Sequence, residues 1–174
     1  LEKKEYKLQF LEKANAEQLP FKDNTFDMIY SHGVLHHAKN TMLCISEAYR
    51  VLKPGGKFKI MVYSNFSATG LMLWLLYGLA KGNPFLSQEK VIFKYLESPG
   101  TKCYSKKELA KILEGFGLEN LKLKKFASSG DLLLMPRSKK YRKNLLYKLI
   151  QILYPRLIVK KFESILGLSI TITA

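Results

Sequence analysis

Between Phe26 and Tyr63 the chain passes from a short apolar run to a helical repeat and then to a strict alternation. This change of period restricts the fold more than any other feature. Phe26-Asp27-Met28-Ile29-Tyr30-Ser31 has turn-forming residues on both sides and reads as a buried strand. Over Thr41–Leu52, Met42, Ile45, Ala48, Tyr49 and Leu52 recur near helical spacing, with Glu47 and Arg50 facing outward. Pro54-Gly55-Gly56 stops that helix. From Lys57 to Tyr63, Phe58, Ile60 and Val62 alternate with Lys57, Lys59 and Met61, which predicts a second strand.

The rest of the chain continues the pattern. Tyr6–Ala14 reads as an earlier strand carried by Tyr6, Leu8 and Phe10, and Leu19–Asn24 as a loop. Gly70–Ala80 is an apolar helix, too short for the roughly 20 residues a bilayer requires. Ser105 followed by Glu108 is a capping box that opens a helix to Gly115. Gly115-Phe116-Gly117 closes this helix, and Leu121–Phe126 is a strand. Asn144–Leu166 is helical in two pieces broken at Pro155. Leu168–Thr173 alternates again as a final strand. Strand alternating with helix specifies an α/β layered fold.

The chain has 174 residues, enough for one domain with a sizeable core, and its 47% hydrophobic and 25% charged content marks a soluble globular class. It carries 29 Lys and Arg against 14 Asp and Glu, a net charge of +15 that favours anionic partners. Nine of the basic residues lie between Arg137 and Lys161 with no acid among them. Cys44 and Cys103 are far apart, without a CxxC or Cys/His cluster, so they read as reduced thiols of a cytoplasmic protein and no zinc motif is seen.

One ordered series of residues points further. Asn15-Ala16-Glu17-Gln18-Leu19-Pro20-Phe21 is followed by Asp23-Asn24-Thr25-Phe26-Asp27, then Ser31, Leu35-His36-His37, Glu47, and Arg50-Val51-Leu52-Lys53-Pro54-Gly55-Gly56. This series resembles the type 11 methyltransferase domains, class I S-adenosylmethionine-dependent enzymes related to the ubiquinone/menaquinone C-methyltransferases. The resemblance implies a Rossmann-like α/β sheet of order 3-2-1-4-5-7-6, with Tyr6–Ala14 as its third strand and Phe26–Ser31 as its fourth. The domain would comprise a core of residues 5–64 and 103–130, a helical insert at 65–102 after the fifth strand, and a basic helical segment with the last strand at 131–174.

The resemblance also implies a cofactor, S-adenosylmethionine, held by Asn15, Ala16, Glu17, Ser31, His32 and Gly33. Asn15 would meet the adenine, although an Asn there also starts turns. Ser31, His32 and Gly33 would lie by the methionine moiety, with Gly33 allowing close backbone approach and His32 acting as proton acceptor. His36 and His37 support membership more than catalysis, and no third ligand is spaced in sequence to make the pair a metal site. Glu47 and Arg50 are expected to pair on the helix surface without chemistry.

The glycine-rich loop and following acid that the class uses for its cofactor do not precede Asn15. The chain therefore reads as lacking the first two βα units, and is expected to bind the cofactor weakly alone. The expected acceptor is a small molecule or an apolar, lipid-linked one, walled by Trp74, Tyr77 and neighbouring leucines beside the polar Glu97–Lys102 loop. The basic segment suggests peripheral contact with an anionic membrane. The alternatives are a non-catalytic binding module of the same fold, or a nucleic-acid methyltransferase. The latter ranks lower because no basic-aromatic stacking motif accompanies the charge.

Overall fold

The alternating stretch forms the longest strand, and the sheet is built around it. The computed structural model describes residues 11–118, 120–134, 149 and 152–174. In it, β1 (Phe26–His32) and β2 (Leu52–Ser64) run parallel and are joined by α1 (Thr41–Arg50). β5 (Ser169–Thr173) lies antiparallel on the other side of β2, and β4 (Lys122–Phe126) lies antiparallel on β5. The order β1-β2-β5-β4 is the 4-5-7-6 half of the expected sheet. A two-residue β3 (Cys103–Tyr104) extends the carboxyl end of β2.

The core follows the periodicity. Cys44, Ile45 and Ala48 of α1 pack with Phe58, Ile60 and Val62 of β2, Ile170 and Ile172 of β5, and Leu109 and Leu113 of α4 (Lys106–Glu114). Burying each large aliphatic side chain is worth about 1.5–3 kcal/mol, so this face supplies most of the driving force. The Ser105–Glu108 capping box is present in both halves. On the other face Met61 and Tyr63 pack with Ile92, Cys103 and Leu168. That face is roofed by α2 (Ala68–Tyr77) and α3 (Gln88–Tyr95). A Cβ on Gly70 would sit 2.7 Å from the Gln88 Oε1 and 3.2 Å from Ile92, so glycine is what lets α2 approach α3.

Several boundaries differ from expectation. Most of Tyr6–Ala14 lies outside the described residues, and its described part, Leu11–Ala14, is exposed and without regular structure. α1 ends at Arg50 because Leu52 already pairs with Phe26 in the sheet. Phe26 opposes Leu52 but Met28 opposes Lys57, so the Pro-Gly-Gly turn is a bulge inside β2 rather than a linker before it. Buried Cys44, not Tyr49, completes the inner face of α1. Asn144–Lys148 lies outside the described residues. Beyond it, α5 (Arg156–Lys161) starts after Pro155, and a second break at Phe162 precedes α6 (Glu163–Leu166). Among the described residues β1 pairs only with β2, and its Met28 and Tyr30 are half exposed or more. Strands of parallel α/β sheets are normally covered on both faces.

Candidate active site

The first predicted segment is a turn tied to α1. The Asn15 side-chain oxygen accepts from the Glu17 N–H at 3.0 Å, and the Asn15 carbonyl accepts from the Gln18 N–H at 3.0 Å. Asn15 is therefore an Asx-turn residue here. The Glu17 carboxylate accepts from the Asn40 N–H at 2.7 Å, while Asn40 caps α1 by accepting from Leu43 N–H. The turn thus sits by the N-terminus of α1, at the carboxyl end of β1, where open α/β sheets bind ligands.

Glu47 and Arg50 do more than pair with each other. The guanidinium makes a two-pronged contact with Glu47 at 2.7 Å for both bonds. It also donates to Asp23 at 2.6 Å and to the carbonyls of Phe21 and Leu19 at 2.9 and 3.2 Å. Glu47 in turn accepts from the Leu19 N–H at 2.8 Å. Its hydrogen bonds to Arg50 hold the Glu47 carboxyl below its ordinary range, and those to Glu47 and Asp23 raise the already high Arg50. The pair fastens the whole Leu19–Asp23 loop along α1.

Ser31, His32 and Gly33 come together at the end of β1. Ser31 is half-buried opposite Ile60, whereas His32 is exposed and stacks on Tyr30 across the same face, ring centroids 6.2 Å apart. Gly33 has a φ of 72°, a left-handed turn that favours glycine, and its N–H reaches the Met61 carbonyl. His32 and Gly33 open a cleft of about 520 Å³ at the carboxyl ends of β1 and β2. The cleft is also lined by Met61, Tyr63, Thr69, Leu96, Glu97, Ser128–Asp131, Leu168 and Ser169. Trp74 and Tyr77 lie outside the lining of this cleft. Tyr77 instead stacks on Tyr95 at 4.1 Å beside a separate cavity of about 790 Å³, because the inner residues of α2 are spent packing on α3.

Two cleft residues, Asp131 and Tyr63, carried no functional signal in the sequence. Asp131 is 1% exposed and accepts from the Thr69 hydroxyl at 2.8 Å, the Ser128 N–H at 2.7 Å and the Ser128 hydroxyl at 3.0 Å. Burial pushes its carboxyl upward, against these hydrogen bonds. Tyr63 donates to Glu97 at 2.8 Å, and burial pushes its phenol well above the ordinary value. Glu97 also meets the His37 Nε2 at 3.2 Å. A buried acid with a displaced pKa in a cleft is suited to proton transfer. Ser128-Ser129-Gly130-Asp131 reads locally as a turn, so only the folded chain reveals this acid.

An open sheet ordered β1-β2-β5-β4 is that of the class I S-adenosylmethionine-dependent methyltransferase fold. Residues 1–60 match the Methyltransf_11 family, a methyltransferase domain. Over 123 residues the chain is 30% identical to the ubiquinone/menaquinone biosynthesis C-methyltransferase UbiE of Brucella canis, covering 68% of this chain and 45% of that protein. It is 28% identical over 112 residues to the mitochondrial 2-methoxy-6-polyprenyl-1,4-benzoquinol methylase of Caenorhabditis elegans, covering 63% and 39%. The chain thus spans about half the length, or less, of these curated relatives. Among solved structures, a methyltransferase of Archaeoglobus fulgidus superposes with a TM-score of 0.53 at 17% identity, covering 94% of this chain and 66% of that one. Phosphoethanolamine N-methyltransferase 2 of Haemonchus contortus, in complex with S-adenosylmethionine, gives 0.56 at 19% identity, covering 92% and 35%. These likenesses establish the fold.

Proposed function

We propose that this chain supplies the acceptor side of an S-adenosylmethionine-dependent methyltransferase acting on a small-molecule or lipid-like acceptor. The observation that carries the reading is the cleft at the carboxyl ends of β1 and β2, with buried Asp131 in its wall. Ser31, His32 and Gly33 offer a hydroxyl, an imidazole and a tight turn where the methionine part of the cofactor would lie. Asn15 keeps one lone pair free of its turn for the adenine amine, with Ala16 and Glu17 alongside. When bound, the cofactor supplies an activated methyl group, so the protein's task is to position the acceptor and exclude water.

Asp131 or His32 would take the acceptor's proton. Asp131 is the better placed of the two, since burial raises its basicity and Thr69 and Ser128 orient it. Among the described residues the outer edge of β1 is unpaired, and a further parallel strand there, with a glycine-rich loop behind it, would complete the cofactor site. On this reading the present chain alone binds the cofactor weakly.

The lipid-like acceptor draws support from apolar surface beside basic residues. Leu157, Ile158, Phe162 and Ile165 are all about half exposed or more, interleaved with Arg156, Lys160 and Lys161. Such a segment suits the interface of an anionic membrane. Among the described residues no helix is long and apolar enough to cross a bilayer.

The test uses the full-length gene product with methyl-labelled cofactor and three acceptor pools: prenylated quinols, water-soluble amines and RNA. Label entering quinol or another small acceptor, with kcat falling in Asp131→Asn while cofactor affinity holds, is the expected result. Label entering only RNA overturns the acceptor class. Micromolar cofactor binding by residues 1–174 alone, measured by calorimetry, overturns the need for an added strand.

A further inference from the structure

The histidine pair is not completed by sequence neighbours, yet the fold brings a third group to it from the insert. We infer that His36, His37 and Glu97 form a site for one zinc-like divalent cation at the edge of the proposed acceptor cleft. A ring nitrogen of each histidine and a carboxylate oxygen of Glu97 all lie within 4.8 Å of one another.

The hydrogen-bond network argues for a cation at this point. Thr101 has one hydroxyl proton, and its shortest acceptor is the Ser98 carbonyl at 2.8 Å. With that proton used, the His37 Nδ1 at 3.2 Å is placed to donate to Thr101 Oγ1 in the tautomer that leaves Nε2 unprotonated. The Ser98 hydroxyl, 3.3 Å from the same nitrogen, can accept as well. His37 Nε2 then presents a lone pair to the Glu97 carboxylate 3.2 Å away. In this tautomer a metal ion satisfies both lone pairs, whereas in the other the Ser98 hydroxyl donates to Nδ1 and a proton on Nε2 bridges to Glu97.

His36 distinguishes the two. Its ring is 0% exposed, and among the described residues neither nitrogen makes a hydrogen bond of ordinary geometry, although the Met61 backbone lies close enough to act on the ring. Buried polar atoms are rarely left so, and each costs about 1–3 kcal/mol. A proton shared by His37 and Glu97 leaves this nitrogen unexplained, whereas a metal uses all three groups.

The surroundings are built to hold the ligands. Tyr63 donates to the second Glu97 oxygen at 2.8 Å and packs on the His36 ring, centroids 4.1 Å apart. Lys102 N–H donates to the His36 carbonyl at 3.0 Å, and its ammonium is held on the Ala38 carbonyl, so the Glu97–Lys102 loop is stapled to the histidine turn. Glu97 has a φ of 50°, a strained conformation for a non-glycine residue of the kind that persists where function requires it. Hydrogen-bonded outer partners of this sort orient metal ligands.

Two imidazoles and a carboxylate match zinc, with a fourth position left for water or an acceptor oxygen. A tetrahedral ion with bonds of about 2.1 Å holds its ligands about 3.4 Å apart, so the widest separation must close by about 1.4 Å. Of the three ligands Glu97, its side chain 52% exposed, is the least enclosed.

The site is independent of the methyl-transfer reading and is tested without cofactor or acceptor. Purified protein is stripped with chelator, dialysed against zinc chloride and assayed for bound metal, and cobalt is added separately for its visible absorption. One zinc per chain and a tetrahedral cobalt spectrum are expected. Affinity should fall by about 10–100-fold or more in His37→Ala and in Glu97→Gln. Glu97→Gln changes an exposed side chain and keeps the fold, which thermal melting verifies, so it decides the outcome if His37→Ala is unstable. No zinc retained by the wild type, or equal retention by Glu97→Gln, overturns the proposal.

Discussion

Lys125 presents a direct contest between desolvation and hydrogen bonding. It lies on β4 at 7% exposure, and its ammonium donates to the Phe66 carbonyl at 2.6 Å and to the Ile165 carbonyl. It thereby ties β4 both to the start of the insert and to the last turn of α6. Burial, aided by Lys106 and opposed by Asp131, lowers its pKa from 10.5 to about 8. At about 1.36 kcal/mol per unit this amounts to about 3 kcal/mol. Because the folded value is depressed, the unfolded chain binds more protons between pH 8 and 10.5, and stability rises with pH across that window. Lys125→Met removes the buried charge, which returns about 3 kcal/mol at pH 7, but orphans two carbonyls at about 1–3 kcal/mol each. The two proteins should therefore differ by no more than about 3 kcal/mol at pH 7. The wild type should then gain up to about 3 kcal/mol on the variant by pH 10.5. Urea unfolding of both proteins at intervals from pH 7 to 10.5 reads this difference, since the other lysines contribute equally to each. A difference that stays flat across the window refutes the reasoning. It would mean that the two carbonyls solvate the ammonium as well as water does.

Two further outcomes follow from the loop and the capped helix. Arg50→Lys keeps the charge but loses the planar fork, so the thermal midpoint should fall and proteolytic cleavage within residues 20–25 should quicken. The contribution of Glu47, whose folded pKa is depressed, is full above the ordinary carboxylate range and is lost as pH falls through the folded value. The gap between wild type and Arg50→Lys should therefore close in acid; a gap that persists there removes Glu47 from the explanation. Ser105→Ala deletes one half of the capping box and should cost about 1 kcal/mol in denaturant unfolding, with Ser105→Thr recovering most of it. Equal stability of Ser105→Ala and wild type would show that water caps α4 as well as the side chain does.

What could be read from the sequence was whatever depends on local period or local caps. The Phe26–Tyr63 alternation, the Ser105–Glu108 box and the Leu168–Thr173 strand all place their elements within a residue or two, apart from the early start of β2. Periodicity could not show that β2 begins at Leu52, because its first pairing is with a strand that precedes α1. Nor could it show that Trp74 and Tyr77 lie away from the cleft that Thr69 of the same helix lines, since a uniformly apolar helix carries no period that separates the two roles. Asn15 is the opposite case: the residue type alone admitted a turn, and the 3.0 Å bond from Glu17 N–H shows that turn formed.

The cleft was hidden for a more basic reason. His32 and Gly33 end β1, Tyr63 ends β2, Glu97 lies beyond the insert helices, and Asp131 precedes the basic segment. No spacing relates these residues, because the mixed sheet, not the sequence, brings its strand ends together. The same placement gives the insert two functions. Its helices roof β2, while its Glu97–Lys102 loop is fastened to the histidine turn through Lys102 and Thr101. Any change in the insert that moves this loop must therefore move His37 and Glu97 with it. The insert loop and the histidine turn are thus coupled through one backbone and two side-chain hydrogen bonds rather than placed independently. An insert exchanged as one piece, from Ser64 through Cys103, preserves that coupling, whereas one exchanged only over α2 and α3 breaks it.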